Sequence, residues 1–256
     1  KEAITDQGHV DLKVEEGIAT ITFSHPKSNS LPGKILHKLA ETITTTGENA
    51  DAKVIILKSE GEKAFCAGAS FDELLSIEDF PTGKEFFMGF ARVINAMRTC
   101  PKFIIGRAQG KAVGGGVGMC SSVDYCLATE AASVKLSELA IGIGPFVVGP
   151  AVERKVGVSG LANLGINATA WQNAQWAKEN GLFADIFPTI DELDEAVMAL
   201  AKRLSQSSPE AMALLKKALW TGTDHWDKLL EERAEMSGKL VLSEFTTNAI
   251  NKFKAK

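Results

Sequence analysis

Three consecutive glycines, Gly114-Gly115-Gly116, separate the strand-like segment Lys111-Ala112-Val113 from a helix-forming run that begins Val117-Gly118-Met119-Cys120. A helix entered through glycines presents unpaired, uncovered N–H groups and a partial positive charge at its start. Such an opening serves either tight helix–sheet packing or contact with an anion or a polarised carbonyl oxygen. A second segment, Phe65-Cys66-Ala67-Gly68-Ala69-Ser70, offers another donor, the N–H of Ala69, ahead of a short helix around Phe71–Leu75. Glu138 is the carboxylate placed to move a proton beside them. A polarised carbonyl and one base are the minimum set for making an enolate.

At 256 residues the chain is long enough to bury a sizeable core as one domain. Hydrophobic residues make up 45% and charged residues 23%, and the formal net charge is −4, so bulk attraction to nucleic acid or an anionic membrane is excluded. An anionic ligand must therefore be met by local lysines or backbone dipoles. No apolar run approaches the roughly 20 residues of a membrane span. Lys1–Asp6 has neither the basic flank nor the apolar stretch of a secretion signal, which makes a cytoplasmic location the expectation. The four cysteines (66, 100, 120, 126) include no Cys-x-x-Cys pair, and the four histidines (9, 25, 37, 225) sit at no ligand spacing. Reduced thiols and no metal centre are expected.

Strands and helices alternate in the front half. Val10–Val14 and Ile18–Phe23 read as a hairpin around a Glu-Gly turn. The stretch 32–47 carries Ile35, Leu36, Leu39, Ala40 and Ile43 at helical spacing, and 86–97 repeats that pattern. The stretches 53–57, 102–105 and 125–129 read as buried strands. This alternation favours parallel pairing through crossovers. From about Ser159 the spacing is helical at 161–166, 171–178, 192–204, 209–219 and 226–242, with Ser208-Pro209-Glu210 as a capped helix start. The expected organisation is an α/β core over 1–195 and a helical C-terminal region over 196–256.

Several chemistries lack their motif. The glycine run is no dinucleotide fingerprint, because Ser121 stands where the last glycine is needed, and no Gly-Lys-Ser/Thr sequence supports a P-loop. No Gly-x-Ser-x-Gly elbow is present, and no histidine pairs by sequence with Cys66 or Cys120.

Taken in order, Lys63–Ser70, Gly110–Gly116, Asp124–Ala128 and Leu136-Ser137-Glu138-Leu139-Ala140-Ile141-Gly142 strongly resemble the crotonase (enoyl-CoA hydratase/isomerase) superfamily, from about Val10 to the C-terminus. The resemblance implies an α/β fold of the ClpP/crotonase type, a spiral of ββα units with a helical C-terminal region. It implies a coenzyme A thioester as substrate, no permanently bound cofactor, and assembly into trimers or hexamers. The N–H groups of Ala69 and Gly115 match the family's oxyanion hole. Ala67 and Lys27, in His25-Pro26-Lys27-Ser28-Asn29-Ser30, match its surface for the coenzyme A adenine and phosphates, which Lys252 and Lys254 would also approach.

One departure matters. Family hydratases hold a water between two glutamates, one just after the glycine run and one further on. Glu138 matches the second; Gly118, without a side chain, stands at the first. A single carboxylate suits proton transfer between two carbons, and the stretch 136–148 resembles the Δ3,Δ2-enoyl-CoA isomerases. The expected activity is conversion of a 3-enoyl-CoA to a 2-enoyl-CoA. The alternatives are hydration with another group in place of the missing glutamate, a different one-glutamate enolate reaction such as decarboxylation, and non-catalytic binding of coenzyme A esters. Gly118→Glu is the substitution expected to introduce hydration, provided the helix tolerates it. Ile141, Ile143, Phe146 and Val147 are the expected apolar neighbours of Glu138, whereas the helical spacing of Phe86, Phe87, Phe90 and Met97 fits either a pocket lining or core packing, with core packing the preferred reading.

Overall fold

In the computed structural model, which describes residues 7–256, the chain opens on a hairpin, β1 (His9–Glu15) antiparallel to β2 (Ile18–Ser24). Glu16 and Gly17, both at positive φ, form the two-residue turn that right-twisted strands favour. Helix α1 (Gly33–Glu48) then buries Ile35, Leu36, Leu39 and Ile43. Residues 1–6 lie outside the described residues.

From there one pattern repeats: two short strands, then helix. β3 (Val54–Ser59) and β4 (Ala64–Cys66) precede α2 (Phe71–Leu75) and α3 (Phe80–Thr99). β5 (Ile104–Ala108) and β6 (Lys111–Val113) precede α4 (Gly115–Ser122). β7 (Tyr125–Thr129) and β8 (Ser133–Lys135) precede a 3-10 turn (Glu138–Ile141) and α5 (Gly149–Ile166). With β9 (Gln172–Asn173) and β10 (Asp185–Phe187) the strands form two sheets, ordered β1-β2-β3-β5-β7-β10 and β4-β6-β8-β9. The first strand of each repeat enters the larger sheet and the second enters the smaller one, which is the spiral of ββα units expected. Its consequence for chemistry is specific. β4, β6 and β8 run parallel as immediate neighbours, roughly 4.8 Å apart in such a sheet, so the segments that leave their C-terminal ends emerge side by side.

The rest is helical: α6 (Ala174–Glu179), α7 (Ile190–Ser205), α8 (Pro209–Leu219), α9 (Trp226–Leu240) and α10 (Glu244–Lys254). The expected boundary at 195/196 falls inside α7, whose Leu193, Val197 and Ala201 bury together with Ile56, Ile105 and Leu127 of the larger sheet. Helix α8 is fastened to the core by Lys216, 3% exposed, whose Nζ donates to the carbonyls of Met97 (2.8 Å) and Lys102 (2.9 Å) and to Asp124 Oδ2 (2.9 Å). Asp124 Oδ1 in turn accepts from Trp220 Nε1 at 2.9 Å.

Several elements differ from the periodicity reading. β5 starts at Ile104, because Lys102 turns back to the carbonyls that end α1, at Thr46 and Asn49. Helix α5 begins at Gly149, well before 161, and is interrupted at Gly157 (φ 72°, ψ 174°). The expected helix over 171–178 is preceded by β9, and its start is fixed by Asn173, whose side chain accepts from Trp176 N at 2.8 Å. Helix α10 lies within the helical region expected over 196–256, although no helical period marks it as a separate element. No helix among the described residues is long and apolar enough to cross a membrane.

Candidate active site

Ala69, Gly115 and Glu138 lie two or three residues past the ends of β4, β6 and β8, and the neighbouring strands bring all three to one cavity. Peptide geometry aims the two backbone donors. The carbonyl of Gly68 accepts from Leu31 N at 2.8 Å, and Ser70 N donates to Leu31 O at 3.1 Å. In a trans peptide the C=O and the following N–H point in opposite directions, so the N–H of Ala69 is turned away from Leu31. By the same rule, the carbonyl of Gly114 accepts from Val117 N and Gly118 N inside α4, and the N–H of Gly115 leaves the helix start. Among the described residues, neither N–H has a protein acceptor.

Close approach explains the glycine run. A Cβ on Gly115 would stand 2.3–2.5 Å from the Phe90 ring, and one on Gly116 would stand 2.3 Å from the carbonyl oxygen of Cys66. Gly114, at φ 54° and ψ −115°, leaves room for the Glu138 carboxylate, whose Oε1 is 2.8 Å from the place of its Cβ. The glycines therefore combine tight packing with exposure of the Gly115 donor.

Glu138 opens the 3-10 turn, which is held by Ala140 N to Ser137 O (3.1 Å) and Ile143 N to Glu138 O (3.1 Å). Helix α10 braces it from outside: Thr246 Oγ1 donates to Ile141 O at 2.7 Å. The residue keeps some surface open to the cavity, but Oε2 is occluded and has no hydrogen-bond partner. Burial pushes the carboxyl pKa up to about 7 from an ordinary 4.5, against a smaller downward pull from its own backbone N–H. A group poised there exchanges a proton readily near neutrality.

The cavity measures about 380 Å³, and its walls include Ile141, Ile143, Phe146 and Val147, the apolar neighbours expected for Glu138. Phe86, Phe87 and Phe90 line it as well; Phe90 is at the same time a buried member of the core, as is Met97, which does not reach the cavity. Phe90 lies against Gly115 of the glycine run, while Val93, Ile94 and Met97, further along α3, join the buried core. Lys135 and Glu138 are the charged residues of the lining, and no second carboxylate is among the described residues there. At Gly118 a Cβ would meet Val148 Cγ1 at 2.6 Å and Ile94 Cδ1 at 3.6 Å, so apolar side chains fill that place.

Lys27 lies on the surface, paired with Asp72, and Ala67 is tied back by its N–H to Ser28 O at 3.2 Å; neither lines the cavity. Lys252 and Lys254 are exposed near the end of α10, whose Phe253 does line it and packs edge-on against Phe71 at 5.5 Å. No sequence signal beyond an aromatic in a polar tail marked Phe253. The fold also brings His9 Nε2 within 2.9 Å of Glu60 and 3.1 Å of Asp11, at the exposed edge of the larger sheet and away from the cavity.

Comparison with known proteins gives this geometry its family. Residues 13–254 match the family model described as enoyl-CoA hydratase/isomerase. The chain is 26% identical over 246 residues to a probable enoyl-CoA hydratase of Bacillus subtilis, covering 95% of each. It is 28% identical over 207 residues to a (7aS)-7a-methyl-1,5-dioxo-2,3,5,6,7,7a-hexahydro-1H-indene-carboxyl-CoA hydrolase of Mycobacterium tuberculosis, covering 80% of this chain and 81% of the other. A solved structure of an enoyl-CoA hydratase from Bacillus halodurans shares the fold with a TM-score of 0.88 at 23% identity, over 95% of this chain and 99% of that one. The chain belongs to the enoyl-CoA hydratase/isomerase family, the crotonase superfamily.

Proposed function

We propose that the protein moves the double bond of a 3-enoyl-CoA into conjugation with its thioester, yielding the 2-enoyl-CoA. The observation that carries this reading is that Glu138 is the single carboxylate lining the cavity among the described residues: it stands beside the glycine run, and Val148 and Ile94 occupy the space at Gly118.

As the carboxylate, Glu138 takes a proton from the carbon next to the thioester carbonyl. The electron pair moves into the allyl system and onto the thioester oxygen, giving a dienolate. The N–H groups of Ala69 and Gly115 bind that oxygen, each lowering the barrier by roughly 3–4 kcal/mol, or about 100- to 1000-fold. Glu138 then returns the same proton to the far carbon of the allyl system, which restores the carboxylate and the carbonyl. No water enters the balance, so no second acid is needed. The apolar walls serve the step by raising the basicity of Glu138 toward the working pH. Lys27, Ala67, Lys252 and Lys254 are assigned to the coenzyme A moiety outside the cavity. The apolar residues Leu214, Leu215 and Leu219, exposed on α8, suit burial against another copy in a homotrimer or a dimer of trimers.

The relatives bear hydratase and hydrolase names, which makes hydration the reading to separate. Incubation with 3-enoyl- and 2-enoyl-CoA esters side by side does so. Conversion of the first to conjugated product, with the second left intact, supports the isomerase; loss of the conjugated enoyl absorbance with release of a 3-hydroxyacyl-CoA overturns it.

A further inference from the structure

Ser237 differs from the other buried serines of the helices. The hydroxyls of Ser121 and Ser122 in α4 donate back to the carbonyls of Val117 (2.8 Å) and Gly118 (2.7 Å). Ser237, in the middle of α9 and 1% exposed, makes no side-chain hydrogen bond among the described residues, yet it lines the cavity. Buried polar groups are nearly always satisfied within the protein, so a hydroxyl in a nearly buried residue without a protein partner is unusual. One left open in a cavity wall is available to a ligand.

Its direction follows from the helix. Arg233, one turn earlier, donates to the carbonyl of Phe146 at 3.4 Å; Val241, one turn later, is buried with Leu74 and Ile143. Residues four apart share a helix face, so Ser237 looks into the cavity between those walls. The wall is rigid. A Cβ on Gly238 would be 2.9 Å from Lys84 N, and one on Gly83 would be 3.1 Å from Gly238 O, so the backbones of α9 and α3 touch beside Ser237. Around it α3 contributes Phe86, Phe87 and Phe90, which offer no hydrogen bond.

We infer that Ser237 is a specificity-determining residue whose hydroxyl hydrogen-bonds an oxygen carried by the acyl group. The preferred substrates are then thioesters whose acyl chain bears a keto or carboxyl oxygen, in place of plain hydrocarbon chains. This rests on the reading that the cavity holds the acyl part of a coenzyme A thioester.

The test is calorimetric binding of non-reacting esters to the wild-type protein, Ser237→Ala and the nearly isosteric Ser237→Cys, with circular dichroism confirming that both variants fold. The probes are hexanoyl-CoA, 4-oxohexanoyl-CoA, 5-oxohexanoyl-CoA and adipoyl-CoA. The wild type is expected to bind at least one oxygenated ester about tenfold more tightly than hexanoyl-CoA, and that ratio is expected to fall to about one in both variants. An unchanged ratio in the variants, or no preference in the wild type while hexanoyl-CoA binds, overturns the assignment of Ser237 alone. Failure of every ester to bind the wild type overturns the thioester reading of the cavity along with it.

Discussion

The Cγ1 methyl of Val148 stands 2.6 Å from the position that a Cβ on Gly118 would take. The missing glutamate is therefore replaced by packing and not by an empty space. Gly118 sits in the part of α4 that is buried, Gly116 to Ser122, and Ile94, itself 0% exposed, adds a second apolar neighbour. The condition attached to Gly118→Glu, that the helix tolerate the new carboxylate, thus requires Val148 to move. The variant is expected to lose about 1–3 kcal/mol of stability or more and to gain no hydratase activity. Combining it with Val148→Ala is expected to restore part of that stability. Chemical denaturation of the two variants measures the effect.

A base held at a pKa of about 7 gives the reaction a defined pH profile. Glu138 acts as the carboxylate, so kcat/KM is expected to fall about tenfold per pH unit below 7 and to level off above it. The acid limb is measured between about pH 4 and 8 with a 3-enoyl-CoA. A limb centred near 4.5 would mean that the active carboxylate is not the buried one.

The same group weakens the fold. Its pKa is raised in the folded state, so its contribution to stability is fully present below about 4.5 and is lost as pH rises through about 7. Glu138→Gln removes the titration. At pH 8 the variant is expected to be more stable than the wild type by roughly 1–3 kcal/mol, with the difference shrinking toward pH 4.5. Urea unfolding at the two pH values checks the sign, which is the opposite of that for a salt-bridged carboxylate.

Gly115 and Phe90 form a second coupled pair. A methyl at Gly115 would overlap the Phe90 ring, so Gly115→Ala must displace either the ring or the helix start that carries the donor. The expected loss in kcat is about 100- to 1000-fold, the value of one donor. Adding Phe90→Leu is expected to recover part of it by giving the methyl room. Steady-state kinetics of the single and double variants decide the point; equal losses in both would show that the ring is not the obstacle.

Much of this was legible in the residues. Val54–Leu57 and Tyr125–Thr129 are short apolar runs whose length and β-branching suit buried strands, and α1 and α7 show their periods plainly. The three candidate-site segments stand out only together, through their resemblance to the crotonase superfamily, because each alone also fits a tight turn or a surface acid. What sequence could not give is the side of a helix that faces a cavity. Phe86, Phe87 and Phe90 have the spacing of core residues, since pocket walls and cores are both apolar surfaces. Ser237 carried no signal, because an unbonded hydroxyl is a fact of three-dimensional surroundings. The bounds of helix α10 are not legible because Asn248, Asn251 and the terminal lysines interrupt its apolar pattern.

The most direct measurement follows one hydrogen. A 3-enoyl-CoA deuterated at the carbon beside the thioester is turned over by the wild type and by Glu138→Gln, and the products are read by mass spectrometry and NMR. The account expects conjugated 2-enoyl-CoA with part of the deuterium at the far carbon of the former allyl system, and a loss of about 100- to 10,000-fold in the variant. Undiminished turnover in Glu138→Gln, or a product bearing a hydroxyl from water at the third carbon, would contradict it.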